Sequence, residues 1–135
     1  MDLSTLNIWA IIVAATSNFL IGGLWYSPAL FGKIWMQANG FREDDVKRGT
    51  PLKIFGFTFL FSMIMAFNLA IFLNEESTTG AWGMMAGLLA GGGWATMAVW
   101  VIGQFERRPT SYLLVHGGYV TLSFMVMGWI LGAWR

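Results

Sequence analysis

Residues Leu3–Ala29 read LSTLNIWAIIVAATSNFLIGGLWYSPA, without one Asp, Glu, Lys or Arg. A run of about 20 apolar residues wound as an α-helix matches the hydrocarbon thickness of a bilayer, so this stretch reads as a membrane span. Three more charge-free stretches follow: Ile54–Asn74, Ser77–Phe105 and Pro109–Trp134. All eight basic and all seven acidic residues fall between these stretches or at their outer ends. Inside a bilayer a backbone must satisfy its own hydrogen bonds, which a helix does within one segment. The sequence therefore predicts an all-α membrane protein, a four-transmembrane-helix antiparallel bundle with spans at about 6–26, 52–73, 80–104 and 111–134.

Composition agrees. Of 135 residues, 56% are hydrophobic and 11% charged, against roughly 25% charged in soluble domains. Four spans use most of the chain, so residues 1–135 are expected to form a single integral membrane domain. A net charge of +1 argues against a nucleic-acid partner. The absence of cysteine excludes disulfides, thiolate metal sites and thiol catalysis. The first span is expected to stay as an anchor rather than be removed as a signal peptide. Its leader carries Asp2, and the basic residues come only after it.

The connections carry their own signals. Trp25-Tyr26 closes the first span with an aromatic pair suited to the headgroup level. Ser27-Pro28 reads as an N-cap followed by proline at the first helical position. Leu30, Phe31, Ile34, Trp35 and Ala38 then recur at helical spacing opposite Lys33 and Gln37. That pattern predicts a short amphipathic interfacial helix, about 28–38, lying in the membrane surface and ending at Asn39-Gly40. Glu43, Asp44 and Asp45 precede Lys47 and Arg48, the charge order that suits a second short helix. Thr50-Pro51 repeats the cap-plus-proline device before the second span. Short connections are expected to make spans one and two, two and three, and three and four antiparallel neighbours. Lys33, Arg42, Lys47, Arg48, Lys53, Arg107 and Arg108 lie on one side, with only Arg135 on the other. The positive-inside rule then places the surface helix in the cytoplasm and both termini outside.

Within the spans, small residues form ladders. Gly83, Gly87, Gly91 and Ala95 recur every four residues, as do Gly128 and Gly132, and Ala10, Ala14, Asn18 and Gly22. Such ladders let helix backbones approach closely where lipid supplies no hydrophobic drive for pairing. They suit packing inside one bundle. The Gly83–Ala95 ladder, being the longest, is also the best candidate for a contact between subunits. Polar residues align too. Tyr112, His116, Tyr119 and Ser123 form one stripe on the fourth span, Asn7, Asn18 and Trp25 share a face of the first, and the second contributes Ser62 and Asn68. An antiparallel arrangement sets Ser123 near the depth of Asn18, and His116 near Gly22 and Trp25. Amides and hydroxyls are costly in hydrocarbon unless paired, so these groups should bond between helices or line a wet cavity. His116 is the one membrane side chain that titrates near neutral pH. Trp94 and Trp100 fall mid-span as wedges or lipid-facing bulk. The nine methionines read as gap fillers, and one histidine among them is too few ligands for a metal site. No cofactor is implied.

The run Gly23-Leu24-Trp25-Tyr26-Ser27-Pro28-Ala29-Leu30-Phe31-Gly32-Lys33-Ile34-Trp35 resembles the first-span signature of a bacterial family of small four-span membrane proteins, the domain of unknown function 1761. The resemblance continues through Glu43–Gly49, Phe105-Glu106-Arg107-Arg108-Pro109 and Gly118-Tyr119; the second span matches only in general character. It implies fold and topology and a location in the bacterial cytoplasmic membrane. It marks Trp25, Tyr26, Ser27, Pro28 and Trp35 as a shared feature that anchors the exit of the first span, and it transfers no catalytic residue. Three functions compete. Helix–helix association, as a homo-oligomer or accessory subunit with membrane lipid and another membrane protein as partners, is favoured over enzymatic activity. A dimeric path for an uncharged or anionic solute, lined by Asn18, His116, Tyr119 and Ser123, is the alternative. The spans carry no Asp or Glu for proton-coupled cation export. A membrane-embedded lipid-modifying enzyme would have only His116, nearby tyrosines and Glu106 for acid–base work.

Overall fold

The computed structural model describes residues 2–135. A short 3₁₀ turn, Leu3–Thr5, precedes six helices: α1 (Ile8–Trp25), α2 (Gly32–Asn39), α3 (Glu43–Lys47), α4 (Pro51–Phe72), α5 (Gly80–Phe105) and α6 (Thr110–Ala133). No strand occurs among the described residues. Helices α1, α4, α5 and α6 are long and apolar enough to cross a membrane.

Local chemistry sets most helix ends. The Asn7 side chain caps α1 by accepting from the Ala10 amide at 3.1 Å. Pro51 opens α4 after Thr50, where its missing N–H costs nothing. Thr79 caps α5 through the Trp82 amide. Gly40 ends α2 in the left-handed conformation, φ 67°, which glycine adopts without strain.

The start of α2 differs from the expected cap at Ser27 and proline at Pro28. Ser27 turns its hydroxyl back to the Leu24 carbonyl, and its own carbonyl accepts from the Leu30 and Gly32 amides. Residues 27–31 are thus a tight turn that reverses the chain, and α2 begins only at Gly32. A Cβ on residue 32 would lie 2.6 Å from the Tyr26 carbonyl oxygen, so the turn closes around glycine.

Helix α6 is the hub. It packs against α1, α2, α4 and α5, while α4 packs on α1 and α6. Contacts show opposite senses for adjoining pairs: Thr5 meets Asn74 and Asn18 meets Ser62 across α1 and α4, and Gly83 meets Gly128 while Gly103 meets Leu113 across α5 and α6. Spans two and three, expected as neighbours from their short connection, do not pair along their length. The acidic turn lets α5 swing away from α4 onto α6. The core therefore lies among α1, α4 and α6, where Ala10, Ala14, Ala15, Ala66 and Met127 are fully enclosed with Ile11, Leu69 and Leu131. Small residues there bring the helices close, as the Ala10–Ala14–Asn18–Gly22 ladder suggests.

Residues Leu89–Ala95 wind as a π-helix inside α5. The three consecutive glycines, Gly91–Gly93, remove the side-chain packing that would favour α over the wider turn. Nothing in the sequence pattern announced this widening.

Candidate functional site

The polar side chains gather in two groups along α1 and α6. The deeper group joins three helices. Asn18, 1% exposed, donates from Nδ2 to the Ser62 hydroxyl at 2.5 Å and accepts at Oδ1 from the Tyr119 hydroxyl at 3.0 Å. Ser62 in turn donates to the Thr58 carbonyl. Gly22 makes room for the Tyr119 ring, whose hydroxyl would sit 3.2 Å from a Cβ there. Asn18 is thus used up as a three-helix pin. Ser123, also 1% exposed, is different: its hydroxyl is the one buried side-chain polar atom without a partner among the described residues. Asn68 does not join this group. It faces outward and bonds back to the Ile64 carbonyl, which gives one of its amide hydrogens a partner without a second helix.

The second group lies at the end of the bundle that carries Lys33, Arg107 and Arg108. Here the Tyr26 hydroxyl and His116 Nδ1 are 2.6 Å apart. The Tyr26 ring meets Trp35 of α2, His116 and Tyr119, with centroids 5.7, 5.5 and 5.3 Å away. The Tyr112 ring meets His116 edge-on at 4.3 Å, and the Arg108 guanidinium lies 5.0 Å from the Tyr112 centroid. Arg108 also donates from Nε to Glu106 at 3.1 Å. Trp35 folds over this cluster because the tight turn at 27–31 sends α2 back across the end of α6. Pro28 is exposed within that turn. Four of the residues marked by the sequence, Tyr26, Trp35, His116 and Tyr119, therefore meet at one place.

Trp25 takes another role. Its indole N–H donates to the Val115 carbonyl at 2.9 Å, and its ring lies against Gly118. Trp100 of α5 does the same from the other side, donating to the Leu113 carbonyl at 2.7 Å and lying against Gly117. The Gly117-Gly118 pair thus provides two flat faces of α6 for two indoles. Trp94, by contrast, is 75% exposed.

The glycine ladders of α5 and α6 are turned on each other. A Cβ at Gly83 would strike the Gly128 carbonyl oxygen, one at Gly128 would strike Gly83, one at Gly87 the Phe124 carbonyl, and one at Gly132 the Thr79 carbonyl. Gly91 lies against Phe124. The Gly83–Ala95 ladder is therefore spent within the chain and leaves little of itself for another subunit. The sequence reading passed over Thr96 and Thr121, whose hydroxyls are 3.0 Å apart across α5 and α6, with Thr96 also donating to the Gly117 carbonyl. Two hydroxyls inside charge-free stretches were the available signal, since each needs a partner in hydrocarbon. Arg108 was read only as a connection charge; its place above Tyr112 follows the turn at Arg107, a residue with φ 55°. Among the described residues no three His, Asp or Glu side chains converge as a metal site would require.

Four helices fit to span a membrane, with hydrogen-bonded polar side chains linking all four, define a small polytopic membrane-type protein. The chain belongs to the family described as "Protein of unknown function (DUF1761)", whose family model matches residues 9–132. No curated protein and no solved structure matches it.

Proposed function

We propose that this chain works in the cytoplasmic membrane through helix–helix association, as a homo-oligomer or as an accessory subunit of a membrane complex, with α2 on the cytoplasmic face and both termini outside. The observation that carries the reading is the position of α5. It packs chiefly on α6, and 17% of its most apolar window is buried, against 33% for α6. Its outer face presents Trp82, Met85, Leu89, Trp94, Val101 and Ile102. The polar stripe favours association over conduction. Asn18, Ser62 and Tyr119 bond to one another, and methyl and thioether groups fill the space between α1, α4 and α6. A solute path would have to run between chains rather than through one. The asymmetry of Lys and Arg, seven against one across the spans, supports the orientation.

Native mass spectrometry of the protein released gently in its own lipid tests the reading. A defined homo-oligomer, or a stoichiometric complex with another membrane protein, is expected, and Trp94→Ala should shift either toward the free chain. A monomer without partners, unchanged by Trp94→Ala, would overturn it.

A further inference from the structure

We propose that His116 and Arg108 form a recognition site for a phosphate group at the basic end of the bundle, with Tyr26 setting the position of the proton on the imidazole. The proposal is independent of the association reading.

The hydrogen-bond count around Tyr26 comes first. Its half-buried hydroxyl has one partner among the described residues, His116 Nδ1. A phenol is the stronger donor of the two and an imidazole nitrogen the stronger acceptor, so Tyr26 donates its proton to that nitrogen. Nδ1 is then an acceptor, and the neutral ring carries its hydrogen on Nε2. Nε2 has no partner among the described residues, and it is not a buried orphan, because Ser123 Oγ alone holds that position. The imidazole therefore presents an N–H donor outward from a fixed ring. The ring is held by Tyr26 on one side and Tyr112 on the other.

Arg108 supplies the charge. Its guanidinium sits over the Tyr112 ring, which His116 also touches. Only Nε is engaged, by Glu106. The two terminal nitrogens have no partner among the described residues, nor does the Tyr112 hydroxyl. One cationic fork and one neutral N–H thus flank a single aromatic ring. A guanidinium fork matches an anion that offers two acceptor oxygens side by side, as phosphate and carboxylate do, and a third oxygen for the imidazole N–H favours phosphate. His116 lies about 9 Å along α6 from the helix start at Thr110. Arg108, two residues before that start, is the group that reaches the level of a lipid phosphodiester, and free phosphate is the other source of the same chemistry. Tyr26 acts here as a positioning residue.

The chain has a single histidine, so nitrogen NMR of the full-length protein labelled with ¹⁵N-histidine reports on His116 alone. In maltoside micelles the neutral ring should show the Nε2–H tautomer. Phosphatidylglycerol should shift Nε2 saturably, while diacylglycerol, which lacks the phosphate, should not. Arg108→Gln should weaken the apparent affinity about tenfold, with Arg108→Lys between it and the wild type. Tyr26→Phe should mix the tautomers. The double variant Lys47→Gln/Arg48→Gln, away from the site, should keep the full shift. Saturation by inorganic phosphate at comparable concentration would support the phosphate site and assign it to the free ion. An Nδ1–H tautomer in the wild type, no shift with either phosphate source, or equal losses in Arg108→Gln and the Lys47/Arg48 variant would overturn the proposal.

Discussion

Replacing Gly128 by alanine places a methyl group inside the van der Waals shell of the Gly83 carbonyl oxygen, with Gly87 Cα only 3.3 Å away. Neither neighbour is a side-chain tip that can swing aside; both are backbone of α5. Ordinary contact begins near 3.4 Å, so α5 and α6 must part by about 1 Å along this seam. A gap of about 0.5–1 Å forfeits a quarter to a half of each dispersion contact. If the seam holds about as many close pairs as one buried leucine, roughly 40–60 at about 0.1–0.2 kcal/mol each, the loss is about 2–4 kcal/mol at the middle of those ranges. That overlaps the usual cost of overpacking, about 1–3 kcal/mol. Gly56→Ala on the outer face of α4 is the control, because its Cβ would meet nothing within 4 Å; it should be neutral or slightly stabilising. Unfolding both variants by SDS in mixed micelles, followed by circular dichroism, gives the comparison. The Gly83→Ala/Gly128→Ala double variant should cost less than the two singles together, since the helices separate once for both methyls. If Gly128→Ala unfolds within about 0.5 kcal/mol of Gly56→Ala, a range typical of inconsequential surface changes, the close glycine seam is wrong.

Further outcomes are expected. Asn18→Ala strips partners from Tyr119 and Ser62 and should cost about 1–2 kcal/mol in the same titration, two interhelical bonds at about 0.6 kcal/mol each plus lost packing. Gly118→Ala sets a Cβ 2.8 Å from the Trp25 ring and should destabilise by about 1–2 kcal/mol. The loss should shrink when Trp25→Leu is also present, which a double-mutant cycle measures. Gly32→Ala forces the turn at 27–31 open and should free α2 from the end of α6, read as faster proteolysis between residues 39 and 50 with the spans left intact. A cysteine added after Arg135 should react with a membrane-impermeant maleimide from outside the cell; protection there and reaction only after lysis would reverse the orientation.

How much of this was legible in the chain differs from feature to feature. The membrane-length helices and the glycine end of α2 were, since the first follow from uninterrupted apolar runs and the second from a left-handed residue only glycine adopts freely. The depths set Ser123 beside Asn18 and His116 near Trp25; in the structure Tyr119, one turn away, bonds Asn18, and His116 meets Tyr26. Ser62 and Asn68 show the limit. Both are polar residues of the same span, yet one pins α1 and the other faces outward. The Ser27-Pro28 dipeptide looked like a helix start and is a reversing turn, because the backbone contacts of Gly32 outweigh a local cap preference. The pairing of Trp25 with the Val115 carbonyl and the Gly118 face was not legible, because it depends on which face of the last span turns toward the first.

The sequence by itself determined where the chain can enter and leave lipid. That is a one-dimensional property: charges are excluded from hydrocarbon and each span satisfies its own backbone. Only the tertiary structure decided which face of each span is buried, which glycines interlock, and that Tyr26, His116, Tyr112 and Arg108 share one corner. The physical reason is that these helices are apolar around nearly their whole circumference. Lipid and protein interior are then equally oily, no hydrophobic period marks the inward face, and the choice falls to shape and to a few hydrogen bonds.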